Sequence, residues 1–471
     1  MKKLHLPAAL RRHRSRRGAV SAAVTALAVA AVILLNLLAA QLPERWTQFD
    51  LTDSGIYNIS DVSLNYLEGL EQDVTIHVLA DESSLDSRIV RFLSKYEELS
   101  DHVSVEYVDP VVYPSVLSEY SAESNTVVVT CDETGRQESF SIDDIIGYDI
   151  MSYYYYGVYN ETSFDAEGLL TSAIDGVLND AARTVYQTTG HGETVLPDSV
   201  QTMLGKSHLS VSTVNLLTDH GIPADCDLLL LNAPTRDLAD DELLAVLQYL
   251  DNGGQVIYTM AGQDLSLPNL ETLCGDYGMR VVPGLIADTA RYYQNNPYWF
   301  FPLADTSVDA AAGLSDDPML LFCVSRGFTL TDPLRDSISV QSFLTTSGSG
   351  LAITGDSSPE DQTPGTYVVG AMATEEVADG VTARLTVYGS NSLIDETIND
   401  AFTNLDNLTL FLQAATLGFD DVSTLAIEPV DLQTPANSIS TGGVWALLFI
   451  FLIPAVLLIT GVVQWIHRKK L

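Results

Sequence analysis

Two uncharged apolar runs, one near each end, constrain this chain more than anything between them. Residues 18–40 (GAVSAAVTALAVAAVILLNLLAA) carry no charged side chain over 23 positions, and residues 442–466 (GGVWALLFIFLIPAVLLITGVVQWI) none over 25. As a helix, either is long enough to cross a hydrocarbon core about 30 Å thick. A cleaved leader is the alternative for the first run, but its apolar stretch is longer than the usual run of about 7–15 residues and no A-x-A site follows. The second run is followed at once by Arg468, Lys469 and Lys470, and Trp445 and Trp465 lie where interfacial aromatics belong. It therefore reads as a membrane helix and not as buried core. Pro454 would kink it, which neighbouring helices can accommodate.

Basic residues beside the runs set the expected orientation. Lys2, Lys3, Arg11, Arg12, Arg14, Arg16 and Arg17 precede the first, and Arg468, Lys469 and Lys470 follow the second, so both termini are expected in the cytoplasm. That leaves 13 of the 23 basic residues and all 62 acidic ones between the runs, a formal charge of −49 for a central region expected outside the cytoplasm. Such a surface repels nucleic acid and anionic headgroups, so nucleic acid is not an expected partner. Cys131, Cys226, Cys274 and Cys323 form no C-x-x-C and no close pair. Three disulfide pairings are conceivable, but Cys131 ends VVVTC and Cys323 sits in MLLFCV, which suits free buried thiols within strands.

Strand and helix patterns alternate through the centre. Ser60 can cap a helix running to Leu70, VTIHVL (74–79) reads as a buried strand, and Ile89, Phe92, Leu93 and Tyr96 recur at helical spacing. VSVEYV, a short helix near 114–121, TVVVTC and RQESFSI follow, and this βαβ-then-ββ order resembles a thioredoxin-like domain. The first strand is followed by ADESSLDSR, without the paired cysteines that disulfide exchange requires. A tyrosine-rich linker or hairpin, GYDIMSYYYYGVYN (147–160), leads to a helix with Ala166, Leu169, Leu170, Ala173 and Val177 on one face. A second alternating unit then runs from TVYQTT (184–189) to QVIYTMAG (255–262), the pattern of a parallel sheet covered on both faces. Asp240, Asp241 and Glu242 suit the positive end of its helix 240–251. Residues 288–360 look less regular and rich in Ser, Asp, Thr and Gly; order returns at YVVGAMA, ARLTVYGS and a helix near 402–417, and 419–441 reads as a polar tether.

Two motifs invite a chemical reading. GKS (205–207) lacks the glycine a phosphate loop needs, since Val200 stands there, and the tripeptide closes a helix where such a loop would open one. TGHGE (189–193) follows a strand, but Val195 stands where the dinucleotide fingerprint requires glycine. Gly190, His191, Gly192 and Glu193 remain candidate ligand or partner contacts at the carboxyl end of the strands; the competing reading is a structural turn with a hydrogen-bonded histidine. H-E-x-x-H and G-x-S-x-G are absent, and His77, His102, His191, His208 and His220 are scattered without metal-ligand spacing. No catalytic residue, cofactor or metal is therefore expected. Acidic pairs such as Asp143–Asp144 read as helix starts and solvated faces.

The blocks YNISDVSLNYLEGLEQDVTIHVL, SVEYVDP, TVYQTTGHGE and DLLLLNAPTRDLADDELLAVLQYLDNGGQVIYTM, then RLTVYGSNSLIDE with NLTLFLQAATL, stand in an order that resembles the gliding-motility-type (GldG-like) ABC-transporter auxiliary family over residues 50–418. The resemblance implies a non-catalytic partner of an ABC-2-type permease and a separate cytoplasmic ATPase, with a central domain similar to class I glutamine-amidotransferase-like folds. Such an enzyme needs a nucleophilic cysteine at a strand-to-helix turn, and the strand ends LLLLNAP and VIYTMAG offer none.

The expected α/β architecture is then a basic tail (1–17), a membrane helix (18–41), a thioredoxin-like domain without its cysteines (42–146), a linker and helix (147–182), and a flavodoxin- or class I amidotransferase-like parallel α/β domain (183–287). An irregular Ser-rich insertion with the closing strand and helix (288–418), a tether (419–441), a membrane helix (442–466) and a cytoplasmic tail (467–471) complete it. An envelope-polymer sensor or binding module using residues 305–365, or a degenerate envelope hydrolase or amidotransferase using His191 and Glu193, are the alternatives.

Overall fold

The computed structural model describes residues 55–149, 153, 156–179, 182–315, 317–355, 363–402, 404–419 and 422–432. Both apolar runs, 18–41 and 442–466, and both basic tails lie outside the described residues. Among the described residues no helix is long and apolar enough to cross a membrane. Residues 55–58 fall in a separate unit from the rest.

The chain begins its main body with α1 (Asp61–Glu68), whose N-cap Ser60 accepts a hydrogen bond from the Ser63 N–H at 3.3 Å. Next come β1 (Val74–Leu79), α2 (Ser87–Glu97), β2 (Val103–Tyr107), α3 (Ser115–Glu119), β3 (Thr126–Cys131) and β4 (Arg136–Ser141). Helix α2 buries Ile89, Phe92, Leu93 and Tyr96, the single stripe its 3.6-residue period dictates, and Asp86 caps it by accepting from the Arg88 N–H. The four strands form a sheet in the order β2-β1-β3-β4, with β1 parallel to β2 and antiparallel to β3. Flanked on both sides, β1 buries all but one of its residues.

A hairpin of β5 (Ile146–Tyr148) and β6 (Glu161–Phe164) leads to α4 (Ala166–Leu178), which packs on β3 and β4. The segment expected as a linker and helix thus completes the first layered unit, because the buried face of α4 (Leu170, Ala173, Ile174, Val177) covers that sheet.

The second sheet is built on β7 (Arg183–Thr188), β8 (Leu209–Val214), β9 (Leu228–Asn232), β10 (Gln255–Thr259) and β20 (Val381–Tyr388), all parallel and ordered β8-β7-β9-β10-β20. Helices α5 (Asp198–Lys206), α6 (Asp240–Asp251), α7 (Pro268–Asp276), α8 (Glu396–Ala401) and α9 (Asn407–Thr416) accompany it. The run of leucines in β9 serves both faces. Leu228 and Leu230 join the core cluster that includes Val200, Leu204 and Phe411, while Leu229 and Leu231 join the one that includes Val246, Leu250 and Leu270. Each fully buried leucine contributes about 1.5–3 kcal/mol of transfer free energy.

The region 288–360 departs from the irregular insertion expected of it. Strands β11 (Met279–Asp288), β16 (Ser325–Leu330), β17 (Ile338–Thr345), β18 (Gly350–Ile353) and β19 (Val368–Ala378) extend the same sheet beyond β20 in antiparallel pairings. The short β12 (Tyr292–Tyr293), β13 (Asn296–Phe300) and β15 (Phe322–Cys323) form a side sheet, and β14 (Leu303–Ala304) pairs with β17. A boundary at 287 therefore cuts through a paired strand. The fold is mixed α/β, with parallel strands at its centre and an antiparallel wing. The expected polar tether packs on the body over its described part: Leu425 and Ile427 are buried, and β21 (Val430–Asp431) pairs with β6.

Candidate functional site

In an open parallel sheet, the crevice outside the carboxyl ends of the strands where the order reverses is the usual ligand position. Here the reversal lies between β7 and β9, and the turn Thr189–Glu193 leaves β7 at that point. Gly190 and Gly192 adopt φ of +114° and +73°, the left-handed region that favours glycine, and a Cβ on Gly192 would run into the Thr235 hydroxyl.

The two glycines face solvent while the side chains between and after them turn inward. His191 Nε2 lies 2.9 Å from Glu242 Oε2 and Nδ1 lies 3.4 Å from Glu193 Oε1; these side chains are 12%, 4% and 3% exposed. The His191 N–H donates to Glu193 Oε2 at 2.7 Å, and the His191 carbonyl accepts from the N–H groups of Thr235 and Arg236. Glu242 Oε2 also accepts from the Ala239 N–H at 2.8 Å, holding the first turn of α6. With both ring nitrogens facing carboxylates, the imidazole is held from two sides and has no ring nitrogen left for a substrate.

Next to this clamp lies a second buried network. Asn232 and Gln187 each donate to the Thr194 carbonyl at 2.7 Å, and the Thr259 hydroxyl donates to Asn232 Oδ1 at 2.9 Å. Ala233, just beyond β9, has φ +50°, a strained value for a residue with a Cβ. Its N–H is bonded to the carbonyl and hydroxyl of Thr259. A nucleophile elbow runs from a strand straight into a helix, whereas seven residues separate β9 from α6 here and Ala233 carries only a methyl group.

Other candidate nucleophiles are tied or unreactive. The Thr189 hydroxyl beyond β7 donates to the Val214 carbonyl, and the Ser390 hydroxyl beyond β20 donates to the Cys323 carbonyl at 3.1 Å. All four cysteines are free, so the disulfide pairings left open by the sequence are not formed. Burial pushes the Cys226 thiol up to about 11 and those of Cys274 and Cys323 up to about 12, far from the thiolate form. Among the described residues no group of three His, Cys, Asp or Glu side chains could hold a metal ion. Lys206 of the GKS tripeptide ends α5 and is buried, its Nζ donating to Asp165 Oδ1 at 2.7 Å and to the Ile427 carbonyl at 2.8 Å.

Sequence reasoning placed His191 and Glu193 but treated Glu242 as a helix-dipole residue. Glutamate at the third helical position was the available signal for a capping role. That it faces a histidine 51 residues earlier was not legible.

Residues 53–145 match a family model described as a domain of unknown function, DUF7088. No curated protein matches the chain. Among solved structures it is similar to the N-terminal domain of mmIFT52 at 11% identity, over 50% of this chain and 96% of that one, with a TM-score of 0.38. A ThuA-like protein from Bacteroides uniformis is similar at 12% identity, over 52% and 95% of the two chains, with a TM-score of 0.32. A second ThuA-like protein, from Parabacteroides merdae, matches at 12% identity over 52% and 92%, with a TM-score of 0.31.

Proposed function

We propose that the chain is a non-catalytic accessory subunit on the extracytoplasmic side of an ABC-2-type transport system, working beside a separate permease and a cytoplasmic ATPase. In this reading residues 18–41 and 442–466 tie it to the membrane, with both termini in the cytoplasm. The observation that carries it is the strained turn beyond β9, which holds Ala233 and no nucleophilic side chain. His191, at the same end of the sheet, is held by Glu193 and Glu242 instead of facing an open crevice.

The first unit supports the same reading. Its β2-β1-β3-β4 order closed by α4 fits the thioredoxin-like expectation, and the segment after β1 carries Asp, Glu and Ser where paired cysteines would be needed. The β8-β7-β9-β10-β20 order fits the flavodoxin- or amidotransferase-like expectation. Two α/β layers of enzyme-like topology, lacking the nucleophiles their chemistry needs, are suited to contact. The ordered blocks shared with the gliding-motility-type auxiliary family point to the partner.

Affinity purification of the tagged full chain from native membranes, in mild detergent, should bring down a multi-span permease and an ATPase. Recovery of neither from an intact preparation overturns the proposal. The doubly substituted His191→Ala, Glu193→Ala chain should still assemble if no catalysis is involved.

A further inference from the structure

The hairpin of β5 and β6 carries a cluster of exposed aromatic surface that the function above does not use. Tyr148, Tyr153, Tyr156, Val158 and Tyr159 are 44%, 47%, 79%, 49% and 65% exposed. The rings of Tyr153 and Tyr159 lie 4.2 Å apart and those of Tyr148 and Tyr159 6.1 Å apart, edge-on, so they form one surface and not scattered side chains. In a central region of formal charge −49, Asp149 is the one charged side chain between Tyr148 and Asn160. Glu161 at the hairpin's base is paired with Arg88, whose Nη1 and Nη2 each donate to it at 2.7 Å and which also holds Asp86.

The direction of the chain at this hairpin is informative. Strand β21 pairs antiparallel to β6, with Val430 opposite Phe164 and Asp431 opposite Ser163, and the Leu432 N–H donates to the Thr162 carbonyl. Because β6 runs away from the hairpin's tip, β21 runs toward it. At Leu432, the last described residue, the chain is therefore heading the same way as β5 runs toward the hairpin's tip. The apolar run expected to enter the membrane starts at Gly442, ten residues on and at most about 35 Å away when fully extended. Tyrosine, apolar along its ring and polar at its tip, is enriched where a bilayer meets water.

We infer that the tyrosine hairpin is a foot seated in the headgroup region of the same bilayer, fixing the height and tilt of the body above the membrane. The occupant is lipid, and a zwitterionic interface suits a foot with a single acidic side chain on a strongly acidic body. A second exposed apolar cluster, Val111, Val112 and Tyr113, lies between β2 and α3, far in sequence from either apolar run. This inference rests on the anchored reading above.

The test uses the full chain in phosphatidylcholine nanodiscs, with the photo-crosslinker p-benzoylphenylalanine placed at Tyr156, or at Leu334 as an exposed control (69%). Illumination should give a lipid adduct at position 156 severalfold above that at 334, read by mass spectrometry. A chain that resides in the discs but gives no lipid adduct at 156 overturns the foot and leaves the anchors standing. A chain that does not enter the discs overturns the anchored reading and the foot with it. In native membranes, a polypeptide adduct at 156 in place of lipid assigns the surface to a protein partner and overturns it equally.

Discussion

The Ser423 hydroxyl donates a hydrogen bond of 2.6 Å to Asp175 Oδ1, joining residues 248 positions apart. The same oxygen accepts from the Tyr66 hydroxyl at 2.9 Å and from Asn179 Nδ2 at 2.6 Å, and His208 Nε2 lies 3.3 Å from the other oxygen. One fully buried carboxylate thereby ties α1, α4, the turn before β8 and the returning C-terminal segment together.

Replacing that carboxylate should be costly. Asp175→Ala strands several buried donors, and losing one side of a buried charged network costs about 3–5 kcal/mol. Urea unfolding of the variant should show a midpoint well below that of the parent chain. An unchanged midpoint would mean that the network contributes nothing net.

The pair should also make stability depend on pH. The Asp175 carboxylate raises His208 above its ordinary range against the effect of burial. Burial pushes Asp175 up, but hydrogen bonds from Ser423, Tyr66 and Asn179 with the nearby His208 outweigh it and hold the group below the ordinary carboxylate range. The histidine's contribution is complete below about pH 6.5 and fades as pH rises through its raised folded value. The aspartate's is present above about pH 4 and fades as pH falls through its lowered one. The parent chain should therefore lose more stability between pH 5.5 and pH 8.5 than His208→Asn does, asparagine being able to keep the left-handed backbone at this position (φ +57°). Parallel curves for the two proteins would refute the assignment.

Lys206 holds the returning segment by donating to Asp165 and to the Ile427 carbonyl. Burial raises the Asp165 carboxyl while Lys206 lowers it, so removing the lysine leaves a carboxyl that favours its neutral form. Lys206→Met should destabilise the chain by about 3 kcal/mol at neutral pH and by less near pH 5. Hydrogen exchange should quicken at Leu425 and Leu432, whose amides are bonded to Ser207 and Thr162. Unaltered protection there would show that the segment is held by its buried side chains alone.

At the β7 turn, Gly192→Ala must adopt φ +73° and displace the Thr235 side chain, for about 2 kcal/mol. Glu242→Gln keeps the shape of the clamp but removes its charge, and should lower the melting temperature without affecting recovery of the permease. If either variant lost the partner while melting normally, the turn would be a contact site and not a structural device.

The sequence by itself determined what repeats within a few residues. The stripe Ile89, Phe92, Leu93 and Tyr96, the Ser60 cap, the apolar strand Leu228–Leu231 and the helix closed by Lys206 were all legible, because helix and strand periods and caps are written over neighbouring positions. In the antiparallel wing, β19 was legible within YVVGAMA, and β11, β16, β17 and β18 were not. Its strands pair across long separations and are only partly apolar, so β17, with buried and exposed residues mixed, reads locally like loop. Only the tertiary structure decided that Glu242 faces His191, that Ser423 meets Asp175 and that the two-residue β21 closes on β6. Such contacts depend on where whole elements pack, and a single carboxylate looks the same in the sequence whether it faces water or a buried histidine.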